Sequence, residues 1–117
     1  MIKVITPLKR KPGMTVKEFR DYYETKHRVI GEKYLLGFAD KYVRRFTNPV
    51  PDNTGNFLEP EFDVLLEVWY PDMESFNACV AKLSEPDVAK EIKADEAKLF
   101  DVSYKRSYFV EEFESEF

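Results

Sequence analysis

What the chain has least of narrows its chemistry first. One cysteine, Cys79, rules out an internal disulfide, and with a single histidine, His27, no Cys/His group has metal-ligand spacing. No apolar run approaches the roughly 20 residues needed to cross a bilayer, and no secretory leader pattern is visible, so a reducing cytoplasm is expected. Positive charge is not in excess either. The 18 Lys and Arg stand against 22 Asp and Glu, and a formal net charge of −4 disfavours non-specific binding to nucleic acid or anionic membrane. The short basic groups, Lys9 to Lys11 and Arg44 with Arg45, read as solvated faces. Cys79 falls mid-helix in an apolar pattern, where buried packing is the simpler role.

What remains is a chain of 117 residues, enough for one domain with one core. Residues 1–112 read as that domain and 113–117 as an acidic-aromatic tail. Aromatics are abundant: ten Phe, seven Tyr and one Trp make up 15% of the sequence. So many tyrosines suggest internal surface that is apolar with scattered hydroxyls.

The order of elements follows from periodicity and punctuation. Residues 2–8 (IKVITPL) form a β-branched strand, with Pro7 suited to an end or an edge. A Pro-Gly turn precedes Thr15, which opens a capping box with Glu18. Val16, Phe19, Tyr23, His27, Ile30 and Tyr34 then recur at helical spacing, giving one long helix bent at Gly31 and stopped by Gly37. Residues 39–47 read as a second strand, 48–61 as a long polar loop and 62–70 as the clearest strand. Asp72 caps a helix over 73–83, and Pro86 starts another with Val88, Ile92 and Leu99 on one side, a stripe that Asp95 and Glu96 interrupt. A last strand is expected over about 102–111.

This β-α-β-β-α-(α)-β order is the split βαβ arrangement of a ferredoxin-like α+β fold, an antiparallel sheet with helices on one face. In the third strand Phe62, Val64, Leu66, Val68 and Tyr70 share an apolar face, while Asp63, Leu65, Glu67 and Trp69 share the other. The second strand alternates Lys41, Val43, Arg45 and Thr47 against Tyr42, Arg44 and Phe46. A face that mixes aromatic with charged side chains suits a dimer interface or a cavity wall.

The opening VITPLKRKPGMTVKEFRDYYETKH, the D-x-x-x-E-x-W of Asp63, Glu67 and Trp69, the PDMESF that follows and ADEAKLFD before the last strand together resemble the EthD-like family. The resemblance runs in matching order over nearly the whole chain. It implies a dimeric α+β barrel, two ferredoxin-like subunits with sheets face to face, each keeping a pocket between sheet and first helix. It also implies a range of chemistries: cofactor-free dehydratases and decarboxylases of aromatic polyketide-type compounds, lactone isomerases, and accessory proteins of ether degradation. Architecture is therefore better fixed than reaction. Relatives with several histidines differ from this chain, which has one, and a two-histidine mechanism does not transfer.

His27 is the first catalytic candidate, the only side chain whose ordinary pKa allows proton exchange in both directions near neutrality. On its own, a histidine on an apolar stripe is most simply a buried ring satisfied by backbone. The resemblance makes it the family's histidine and so the general base or acid. Tyr23, one turn earlier, shares its face. Asp63 is a second proton-transfer candidate; it lies about 13 Å along the strand from Glu67, too far for a close carboxylate pair. Glu67 is expected to hold Arg44 or to orient His27, with a buried ion pair as the structural alternative for both carboxylates. Among the tyrosines 22, 23, 42, 104 and 108, Tyr23 and Tyr42 are the expected ligand contacts, with Tyr108 a further candidate. Arg44 is expected to bind an anionic group, and Phe46 and Trp69 to form apolar wall.

The leading expectation is a cofactor-independent lyase, a dehydratase or decarboxylase, acting by proton abstraction on a small hydroxylated cyclic or aromatic metabolite. An isomerase uses the same first step. A binding or accessory protein for a hydrophobic metabolite is the non-catalytic alternative, and a haem or oxygen-dependent enzyme a more remote one. The expected partners are a small-molecule substrate and a second copy of the chain, with no metal or other cofactor.

Overall fold

Strand β1 (Ile2–Leu8) lies inside a four-stranded antiparallel sheet of order β2-β3-β1-β4, formed with β2 (Lys41–Phe46), β3 (Val64–Tyr70) and β4 (Tyr108–Phe109). The computed structural model describes all residues, 1–117. Pro7 sits opposite Leu65, in the half of β1 where only β3 pairs with it, so its missing N–H interrupts no second ladder. The Pro-Gly turn is present, with Gly13 at φ +85°, a conformation that glycine adopts without penalty. The capping box closes as expected: Glu18 N–H donates to Thr15 Oγ1 (3.1 Å) and Thr15 N–H to Glu18 Oε1 (3.0 Å).

Helix α1 (Val16–Tyr22) passes through a π-helical turn (Tyr23–His27) directly into α2 (Arg28–Leu35). The irregularity expected at Gly31 lies one to two turns earlier, and Gly31 has another use, described below. After the loop and β3, Asp72 caps α3 (Met73–Leu83) by accepting from Ser75 N–H (2.8 Å), and Pro86 takes the first position of α4 (Pro86–Leu99). The last strand is far shorter than the pattern suggests. Asp101 accepts from the backbone N–H (3.0 Å) and hydroxyl (2.5 Å) of Ser103, a local turn that takes the chain out of strand geometry until Tyr108.

The helices cover one sheet face. Register puts Tyr42 opposite Val68, Arg44 opposite Leu66 and Phe46 opposite Val64 on that side, and Lys41, Val43 and Arg45 opposite Trp69, Glu67 and Leu65 on the other. The expected pairing of Arg44 with Glu67 is thereby excluded, because they point to opposite faces. Leu8, Phe19, Tyr23, Val64, Leu99 and Phe100 form the buried core. Phe19 meets Tyr23, Phe46 and Phe100 edge to face at centroid separations of 6.1, 6.3 and 5.9 Å. A smaller cluster of Val68, Tyr70 and Cys79 packs under α3. Cys79 is fully buried there, its sulfur accepting from the Tyr70 hydroxyl at 3.7 Å.

Candidate active site

Between the sheet and α2, α3 and α4 the packing leaves a cavity of about 400 Å³. Fourteen of its nineteen lining residues are hydrophobic, so the few polar ones define what it can do chemically. His27, Tyr34, Tyr42, Tyr70, Tyr108 and Glu96 are the titratable residues among them.

His27 closes the π-helical turn. The wider turn stacks it nearly over Tyr23, whose ring meets the imidazole edge-on at 4.9 Å, while Phe100 holds the other side at 5.1 Å. Both Tyr23 and His27 are buried. The His27 Nδ1 lies 2.8 Å from Asp95 Oδ2 on α4, and Asp95 Oδ1 accepts from the Tyr22 hydroxyl at 2.5 Å. An ionised carboxylate only accepts, so in a neutral ring the bond to Asp95 places the proton on Nδ1 and leaves the lone pair on Nε2. The resulting Tyr22–Asp95–His27 chain orients the ring and offers a counter-charge to an imidazolium. Burial, with the Asp95 carboxylate beside it, pushes the Tyr22 phenol up to about 12.

A second polar pair enters from the sheet. Tyr42 and Tyr23 share a hydrogen bond at 2.9 Å between their hydroxyls. Burial raises the pKa of both phenols, keeping them neutral donors. Tyr42 fits because residue 31 is glycine: a Cβ there would stand 2.9 Å from both Tyr42 Cε2 and its hydroxyl oxygen. His27 from the helix and Tyr42 from the sheet therefore open onto one space, a proton acceptor and a hydroxyl donor.

The other candidates lie elsewhere. Tyr23 is wholly buried behind Tyr42 and does not line the cavity. Asp63 is held by Arg10, whose guanidinium reaches Oδ1 (2.5 Å) and whose backbone N–H reaches Oδ2 (2.8 Å). It anchors a loop. Glu67 pairs with Arg45 and accepts from Trp69 Nε1 (2.9 Å) on the outer sheet face, and it does not orient His27. Trp69 lies between Lys3 and Lys41, at 3.9 and 4.3 Å from its centroid. Arg44 faces the helices but is taken by Glu24 (2.9 Å), and Phe46, partly buried, packs against the core. Tyr108 borders the cavity on β4, but its register opposite Ile5 puts its side chain on the outer sheet face, about half exposed.

Asp95 is the residue that sequence reasoning missed, although the signal was there. A carboxylate interrupting the inward stripe of a helix has to meet a partner when buried. Its neighbour Glu96 lines the cavity and pairs with Lys105 at 2.8 Å. Nowhere do three or more His, Cys, Asp or Glu side chains converge in a way that could hold a metal ion.

These features define a ferredoxin-like α+β domain with an apolar cavity served by a histidine–aspartate pair. The EthD domain matches residues 11–103, and the chain belongs to the EthD domain family, within the dimeric α+β barrel superfamily. An EthD (ethyl tert-butyl ether D) family protein of Bacillus halodurans C-125 has the same fold, with a TM-score of 0.64 at 19% identity over 97% of this chain and 100% of that one. A NIPSNAP-like domain protein of Burkholderia xenovorans gives 0.58 at 16%, over 96% and 84% of the two chains. HapK of Hahella chejuensis gives 0.57 at 11%, over 100% and 97%. No curated protein matches the chain.

Proposed function

We propose that the protein is a cofactor-independent proton-transfer enzyme of the lyase type, acting on a small hydroxylated cyclic or aromatic compound bound in the cavity. The observation that carries this reading is His27, which lines the cavity while Asp95 fixes its Nδ1. Nε2 would take a proton from a carbon next to a carbonyl, the C–H electron pair passing into an enolate. The Tyr42 hydroxyl would stabilise the enolate oxygen. In a dehydration the enolate then expels the β-hydroxyl, which leaves as water with the proton returned by His27. In a decarboxylation carbon dioxide would leave, and in an isomerisation the proton would return to another carbon.

No Lys or Arg is among the cavity's lining residues, and its one carboxylate, Glu96, is paired with Lys105, so the apolar wall offers an anion no cationic partner to offset its desolvation. This favours a neutral hydroxyketone over a carboxylate, and dehydration over decarboxylation. A second reading, a binding protein for an apolar metabolite, draws on the predominance of hydrophobic residues in the wall. The two separate in heavy water with 2-tetralone, a neutral aromatic ketone with exchangeable α-protons. The enzyme reading expects the protein to accelerate its α-proton exchange and His27→Gln to slow that by about 10²–10⁴. Binding with exchange at the buffer rate would favour the binding protein.

We also infer a homodimer in the cytoplasm. Ile5, Val43, Leu65 and Trp69 stand on the sheet face that carries no helix, and Glu67 is buried among them. No helix is long and apolar enough to cross a membrane.

A further inference from the structure

The C-terminal segment leaves its own sheet with nothing to cover it. β4 pairs Tyr108 with Ile5 and Phe109 with Val4, and Val110 N–H then donates to the Lys3 carbonyl at 3.4 Å. Glu112 reaches Lys3 Nζ at 2.7 Å. Because β1 begins at Ile2, residues 113–117 run past the end of the strand they follow. Phe113 is 93% exposed and Phe117 completely so. In extended backbone successive side chains alternate, so Phe113, Ser115 and Phe117 share one side and Glu112, Glu114 and Glu116 the other. This is the pattern of an amphipathic strand, here without a surface of its own.

A surface of the complementary kind is the outer sheet face. It offers apolar area from Ile5, Val43 and Leu65, with Trp69 beneath the ammonium groups of Lys3 and Lys41. Arg45 also stands there, half exposed beyond its bond to Glu67. We propose that the tail of one copy straps the outer sheet face of a second copy, its phenylalanines against the apolar area and its glutamates paired with Lys41 and Arg45. The proposal rests on the homodimer inferred above.

Two experiments on the full chain test it. The first is the dimer dissociation constant by sedimentation equilibrium, for the wild type and for Phe113→Ser with Phe117→Ser. Losing a buried phenylalanine costs on the order of tenfold or more in association, and symmetry counts each of the two substitutions twice, so a weakening of about 10⁴-fold is expected. Unchanged far-UV circular dichroism would show that the fold persists. An unchanged dissociation constant overturns the strap and leaves the homodimer standing; a monomeric wild type overturns both. The second is carbodiimide cross-linking of a mixture of ¹⁴N and ¹⁵N copies. Mixed-isotope links between tail glutamates and Lys41 are expected, and tail links confined to single copies overturn the proposal.

Discussion

Replacing Asp95 by Asn keeps the size of the side chain and removes its charge. The wild-type carboxylate accepts two hydrogen bonds, from Tyr22 at 2.5 Å and from His27 Nδ1 at 2.8 Å, in a position only 6% exposed. Bonds to a charged group are worth about 1.5–3 kcal/mol each, but removing a desolvated carboxylate returns part of that, so Asp95→Ala should lose about 2–4 kcal/mol of stability. Asp95→Asn retains one carbonyl acceptor and should lose only about 1 kcal/mol. Its effect on proton transfer should be larger. An amide N–H facing the ring favours the tautomer with the proton on Nε2, which leaves no lone pair for the substrate, and no counter-charge remains for the imidazolium. We expect α-proton exchange of 2-tetralone to slow by about 10² or more, with the His27→Gln/Asp95→Asn double variant no slower than His27→Gln alone. Urea denaturation and exchange rates measured on the same samples separate the two effects. A wild-type exchange rate in a folded Asp95→Asn protein would refute the reasoning.

Three further predictions follow from the same geometry. Gly31→Ala places a methyl group against Tyr42, so it should cost about 1–3 kcal/mol in stability and weaken binding of 2-naphthol, measured by urea denaturation and calorimetry. Calorimetry should also show 2-naphthol binding at least about tenfold more tightly than 2-naphthoate, because the apolar cavity would desolvate a carboxylate and offers it no lining Lys or Arg; equal affinities would count against a neutral substrate. Tyr22 has its phenol pKa raised from 10.0 to about 12, so folding favours the neutral phenol. Its contribution is fully present below pH 10 and lost as pH rises through 12; Tyr22→Phe should flatten that alkaline loss and remove one late-ionising phenol from the 295 nm titration.

Local signals were enough for most of the architecture. Thr15 with Glu18, Asp72 and Pro86 each mark a helix start through short-range bonding or fixed φ, and the structure places all three where those rules put them. The period-2 pattern of β3 likewise assigns its faces. What the pattern does not contain is the choice among long-range partners. Asp63 and Glu67 are visibly carboxylates in the expected third strand, but which of the basic residues would claim them depends on loop paths. Arg10 and Arg45 do so, and neither carboxylate serves the cavity. The π-helical turn is hidden for a similar reason. Tyr23 and His27 four apart fit an ordinary helix, and only packing against Phe100 and Phe46 reveals the wider turn. Asp95 could have been found by asking what an inward carboxylate on α4 would bind, since the chain holds one histidine.

That single histidine also makes the central claim directly measurable. In a long-range ¹H–¹⁵N correlation spectrum of uniformly ¹⁵N-labelled protein, recorded with the imidazole in its neutral form, His27 alone gives imidazole signals. Nδ1 should be protonated and Nε2 unprotonated, and the Nε2 resonance should move when 2-naphthol is added. A proton on Nε2, or a ring indifferent to a ligand that binds, would contradict a catalytic His27.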